Sequence, residues 1–149
     1  MTNYQTTLAR QQSPNDDQIT RGLKSSNRNQ QTSTKTKKFD LEERTLEFAK
    51  AIVRLCKQLP QNVINLQFIG QLIRCSGSVG ANYREANDSL SKKDFSYRIK
   101  ICRKEAKESC FFLELLAEAN PEFADKIEVL FEEANELKKI FSSIADKSS

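Results

Sequence analysis

The residues best placed to do chemistry are cations. Lys92, Lys93, Arg98, Lys100, Arg103, Lys104 and Lys107 fall between positions 92 and 107, opposed in that interval only by Asp94 and Glu105. Lysine and arginine at that density neutralise phosphates and release the counterions held around them. At helical spacing the series is scattered around the axis, but Lys93, Lys100, Lys104 and Lys107 fall on one outer face. Arg74 and Arg84 extend the set from the preceding helix. Aromatic side chains interleaved for stacking are few, Phe95 and Tyr97 at most. Nothing in the pattern reads base sequence. A second interpretation stays open, because Glu122, Asp125, Glu128, Glu132, Glu133 and Glu136 give the last helix the opposite sign. The cations of the third helix then meet the acids of the fourth, within one subunit or between two.

Other chemistries find less support. The chain has no histidine, which removes the commonest general acid or base and the usual partner of a serine or cysteine nucleophile. Cys56, Cys75, Cys102 and Cys110 form no Cys-x-x-Cys pair, and each lies within an apolar helical pattern. Reduced, buried core thiols are expected, with no metal. The carboxylates are numerous and solvent-facing by pattern, with no pocket to perturb a catalytic pair. No enzymatic activity, cofactor or small-molecule substrate is expected. Ser76-Gly77-Ser78-Val79-Gly80-Ala81 tempts a phosphate-loop reading, but no strand precedes it and no Lys-Ser or Lys-Thr pair follows.

The charge is unevenly placed. Seven basic and two acidic residues leave positions 1–38 at +5, while 17 basic and 18 acidic residues leave 39–149 at −1. Positions 1–38 are rich in Gln, Asn, Ser and Thr and too poor in apolar residues to offset the entropy of ordering, so a disordered tail is expected. It closes on a small basic cluster, Lys35-Thr36-Lys37-Lys38. No secretory leader and no membrane-spanning run is visible, and a cytoplasmic protein is expected.

The elements that must position these groups are helices. From Phe39 onward the pattern is that of an all-α, antiparallel up-down-up-down four-helix bundle over 39–146, with helices at about 40–59, 66–87, 92–119 and 121–144. Asp40 is the expected first N-cap, and Pro60 closes the first helix at about Leu59. Gln61 to Asn65 form the connection. Ser91 and Asp94 resemble a capping box for the third helix. Asn120 is expected to cap the fourth, with Pro121 at its first position. In the third helix Phe95, Ile99, Cys102, Ala106, Ser109, Leu113 and Leu116 step alternately by four and three. Phe123, Ile127, Leu130, Ala134, Leu137, Phe141 and Ile144 do the same in the fourth. This is the rhythm of left-handed bundle packing.

The second helix is different. Leu66, Ile69, Ile73, Gly80 and Tyr83 make one apolar line, and Phe68, Leu72, Cys75, Val79 and Ala86 make another. A helix apolar on two sides wants partners on two sides, and self-association supplies the second. Each interior glycine costs about 1 kcal/mol relative to alanine. Ser76, Gly77, Val79, Gly80, Asn82 and Tyr83 are therefore expected to serve close helix packing and assembly.

The stretch Arg74-Cys75-Ser76-Gly77-Ser78-Val79-Gly80-Ala81-Asn82-Tyr83-Arg84-Glu85-Ala86 resembles the signature of the bacterial four-helix-bundle proteins encoded in intervening sequences of 23S rRNA genes. Phe39 to Cys56, Ser91-Lys92-Lys93-Asp94-Phe95, Lys104-Glu105-Ala106-Lys107-Glu108 and Phe112-Leu113-Glu114-Leu115-Leu116 are similar to other parts of that family. The resemblance covers about Phe39 to Phe141. It departs at Phe112, where tryptophan is expected, and it excludes the tail. It implies a bundle that assembles into a ring, a pentamer, without enzymatic activity. A more distant likeness of architecture to the accessory protein of diversity-generating retroelements points to binding of RNA, DNA or a nucleoprotein. A purely structural or protein-interaction module is the alternative.

Overall fold

The structure is a computed structural model and describes residues 40–148. The expectations for the tail over 1–38 lie outside the described residues. Four α-helices carry the chain: α1 Leu41–Cys56, α2 Val63–Asn87, α3 Lys92–Ala119 and α4 Ala124–Lys147, with a 3-10 turn at Pro121–Phe123 before α4. The described residues contain no strand.

Three helix starts are fixed by side chains that accept from otherwise unpartnered first-turn amides. Asp40 Oδ1 accepts from the backbone N–H groups of Glu42 at 3.0 Å and Glu43 at 3.3 Å. Those two glutamates also sit at the positive end of the α1 dipole. Ser91 Oγ accepts from the Asp94 N–H at 3.1 Å, one half of the expected box. Asn62 Oδ1 accepts from the Asn65 N–H at 2.9 Å, so α2 begins at Val63 rather than Leu66. At its other end α1 stops at Cys56, short of the expected Leu59. There the chain tightens into a turn in which the Gln58 N–H bonds to the Leu55 carbonyl at 2.9 Å.

Asn120 does something other than cap. Its side chain makes no capping bond to the turn that follows. Its Nδ2 donates to the Asn65 side-chain oxygen and to the Leu116 carbonyl, both at 2.9 Å. Asn65 Nδ2 returns a bond to Asn120 Oδ1 at 2.8 Å and also donates to the Pro60 carbonyl at 2.9 Å. Both asparagines are buried. A buried amide left unpaired costs about 1–3 kcal/mol, so this reciprocal pair ties the α1–α2 connection to the end of α3.

Side-chain contacts join neighbouring helices. Between α1 and α2, Glu42 bonds Asn87 and Thr45 lies against Gly80. Between α2 and α3, Val79 faces Cys102 and Asn82 faces Arg98. Between α1 and α4, Arg44 reaches Glu133, and just past the end of α1 Gln58 accepts from Lys126. Helix α3 packs most extensively on α2 and α4, while α1 touches α2 and α4.

The alternating repeats supply the core. Ile99, Cys102, Ala106, Ser109, Leu113 and Leu116 of α3 are buried against Ile127, Ala134, Leu137 and Phe141 of α4, together with Phe48 and Ile52 of α1. All four cysteines are free and buried. Burial pushes the Cys56 thiol up to about 11 and the Cys102 thiol up to about 12, which keeps both as unreactive thiols.

The two apolar lines of α2 fare differently. Leu72, Cys75, Val79 and Ala86 form its core side. The other line divides along its length. Its C-terminal part is satisfied within the subunit: a Cβ at position 80 would sit 3.3 Å from Thr45 Oγ1 on α1, and the Tyr83 ring lies 5.6 Å from that of Phe141 on α4. In the N-terminal part Ile69 is half-buried against the core, while Leu66 at 52% and Ile73 at 42% stay exposed, as do Val63 and Ile64 in the first turn.

Candidate nucleic-acid interface

Helix α3 buries the side that carries its repeat and turns the other to solvent. On that outer side Lys93, Lys100, Lys104 and Lys107 are all exposed, and so is Lys92 at the first turn. Their spacing over the exposed turns makes a line of ammonium groups along the helix. The described residues include no ion pair to any of these five lysines. Arg103 is half-buried beside the line, and Arg84 is exposed near the C-terminal end of α2.

Two arginines of the expected set have internal tasks. Arg74 bridges α2 to α3, its Nη1 reaching the Glu105 carboxylate at 3.3 Å and its Nη2 binding Glu108. Glu105 is buried, and a buried carboxylate needs such a partner. Arg98 is half-buried and donates to Asn82 Oδ1 at 3.4 Å, with Asp94 at 3.7 Å from its Nε. Their guanidinium groups hold the bundle together, so the surface available to a polyanion is chiefly lysine.

Of the α4 acids, Glu133 meets a cation of α1. The Arg44 guanidinium forks onto Glu133, with Nε to Oε1 at 2.6 Å and Nη2 to Oε2 at 2.9 Å. That bond raises the Arg44 pKa further above its already high value. Glu136 pairs with Lys139 on its own helix, and this partner lowers its carboxyl pKa. Among the described residues the ion pairs between helices link α1 to α4 and α2 to α3. None joins the basic face of α3 to the acidic face of α4 within the subunit.

The aromatic complement differs from the sequence expectation. Phe95 is half-buried against the core. Tyr97 is 61% exposed and Phe111 is 53% exposed. Phe111 escapes the sequence reading because it sits in the run Cys110-Phe111-Phe112-Leu113, where the apolar content looks like core. The helical period gives the missing signal: Phe111 follows Lys104 by seven residues and Lys107 by four, so it shares their face.

The small-residue set of α2 is placed as follows. Val79 is core and Ser76 is buried, its hydroxyl donating to the Ile73 carbonyl. Gly80 and Tyr83 pack within the subunit as described. Asn82 Nδ2 donates to the Ser78 carbonyl at 2.9 Å and to Ser78 Oγ at 3.0 Å. Gly77 is exposed, and a Cβ added there would meet nothing within 4 Å. It lies with Ala49, Val53, Ile73 and Ser76 along a shallow, mostly apolar groove between α1 and α2.

No group of metal-ligating side chains assembles among the described residues, and no described helix is long and apolar enough to cross a membrane.

Comparison with known proteins gives a consistent family assignment. A crystal structure from Bacteroides thetaiotaomicron, described as a protein of unknown function from the S23 ribosomal protein family, is 32% identical with a TM-score of 0.63. The match covers 70% of this chain and 96% of that one. No curated protein matches the chain. The model of the 23S rRNA-intervening sequence protein family matches residues 37–143, and the chain belongs to that family.

Proposed function

We propose that the chain is a non-enzymatic, up-down-up-down bundle that self-associates into a ring and binds nucleic acid or a nucleoprotein through the outer face of α3. The observation that carries the binding reading is the line Lys93, Lys100, Lys104 and Lys107, exposed together and outside the ion pairs of the described residues. Uncompensated cations at this spacing suit a phosphate backbone. Arg74 and Arg98 contribute less, because both are engaged within the subunit. Filter binding to duplex DNA and structured RNA across a salt series tests the reading. Affinity is expected to fall steeply as salt rises, and absence of binding at low salt overturns it.

Assembly is supported by the exposed Leu66 and Ile73 of α2 and by the mostly apolar groove that Ile73 and Gly77 line with Ala49 and Val53 of α1. Contiguous exposed apolar surface of this kind marks interaction sites. The pentamer is the subunit number that the family resemblance implies. Light scattering is expected to give a mass well above one subunit, and a monomer overturns the ring. Gly77→Leu is the sharper variant: position 77 has room within the subunit, so this change should lower the mass while leaving the helical content intact. Gly80→Leu would disturb Thr45 first and confuse unfolding with dissociation.

The same open face favours the second reading, a structural or protein-interaction module whose charges select partners. That reading predicts a defined oligomer with no affinity for nucleic acid at low salt.

A further inference from the structure

The outer face of α3 holds more than charge. Tyr97 and Phe111 are the exposed aromatic side chains among the described residues. Both lie on the side of α3 that carries Lys100, Lys104 and Lys107. Fourteen residues separate them, about 21 Å along the axis at 1.5 Å per residue, with the three lysines between. Phe111 is backed by Phe112, edge to face at 5.4 Å between ring centroids. Phe112 in turn lies 6.5 Å from Phe68 of α2. The ring is therefore supported from behind while one side faces solvent.

We infer that this face takes an unpaired, single-stranded nucleic-acid segment, with Tyr97 and Phe111 stacking on bases and Lys100, Lys104 and Lys107 meeting the phosphates between them. The inference rests on the proposed nucleic-acid role and refines it. A paired duplex keeps its bases stacked on one another, so an aromatic face outside it gains nothing. A single strand exposes those faces, and stacking on them is tolerant of sequence because every base has one. The residue types agree with that tolerance. The line holds no Asn, Gln or Arg of the kind that reads base edges in a duplex groove.

The experiment uses the full chain and three probes: a single-stranded uridine RNA, a single-stranded thymidine DNA of the same length, and a duplex of that length. Binding is followed by anisotropy across a salt series, with the oligomeric mass checked by light scattering. Tyr97→Ala and Phe111→Ala are each expected to weaken both single strands by roughly 5- to 150-fold, the range that stacking on one base supports. The salt slope and duplex affinity should stay unchanged, because no phosphate contact is lost. Phe111→Trp should keep the affinity. The chain has no other tryptophan, so its fluorescence should be quenched by the single strands and not by the duplex.

Wild-type affinity for single strands in the Tyr97→Ala/Phe111→Ala double variant overturns the inference and leaves the phosphate-binding role standing. A changed oligomeric mass in that variant also overturns it, by assigning the rings to an interface between subunits. Failure of the wild-type chain to bind any probe at low salt removes the underlying role as well.

Discussion

Helices α3 and α4 are built on one inner repeat and carry opposite outer faces. Inside, each alternates steps of four and three, through buried residues from Ile99 to Leu116 in α3 and, with Leu130 half-buried, from Ile127 to Phe141 in α4. Outside, α4 presents carboxylates, and the best placed of them is used within the bundle, where Glu133 receives the Arg44 fork. On α3 the roles reverse. Its acids Glu105 and Glu108 are engaged by Arg74 and Asp94 by Arg98, while Lys93, Lys100, Lys104 and Lys107 face solvent. The inner repeat therefore explains the bundle, and the outer faces divide into charges that hold it and charges left for something else.

This division can be broken by exchanging charges, and the effects should come in a definite order. The largest is expected from K100E/K104E/K107E. Loss of three phosphate contacts should weaken nucleic-acid binding by about 100-fold or more near 0.1 M salt. Thermal unfolding should barely move, because these side chains are exposed and unpaired. A large drop in melting temperature would mean that the lysines serve the fold.

Next is Arg74→Ala, which leaves buried Glu105 without its cation. Chemical denaturation should show a loss of about 2 kcal/mol. Binding by the folded fraction should stay close to normal. Arg44→Ala removes the fork to Glu133 at a more exposed site, and about 1 kcal/mol of stability should go with it. The smallest effect is expected from Glu128→Lys/Glu132→Lys on the outer face of α4. Stability should shift by less than about 0.5 kcal/mol, and affinity by about two-fold at most, since these positions lie off the lysine line, on another helix.

The interior offers a pH test of the packing of α3, where Cys102 lies against Val79 of α2. Burial raises the Cys102 thiol to about 12 from an ordinary value of 9.0. Between those values the unfolded chain has released the proton and the folded chain retains it, so stability falls as pH rises from about 9 toward 12. Denaturation across that interval should show a shallower decline in Cys102→Ala, measured against wild type.

Much of this was legible from residue types. The inner repeats of α3 and α4 are strict, and Asp40 and Ser91 announce two helix starts. What escaped depends on distant residues meeting. Asn120 looks like a cap because Pro121 follows it, yet its partner is Asn65, which reads as part of a connection. Asn62 makes α2 begin early, a short-range bond that the apolar pattern hides. Gly77 and Gly80 look alike in sequence, and only the position of Thr45 separates them. On the candidate interface, spacing selected the four outer lysines. It could not show that Arg74 and Arg98 are held by Glu105, Glu108 and Asn82, since that requires knowing which helix faces which. Phe111 was hidden by its apolar neighbours.

The central claim is that the α3 lysines are phosphate contacts. Its most direct test is the slope of log affinity against log salt for wild type, K100E/K104E/K107E and the α4 double reversal. The account predicts a falling line for wild type, a slope shallower by about 2 to 3 for the α3 variant, and no change for the α4 variant. A wild-type slope near zero, or equal slopes in all three proteins, would contradict it.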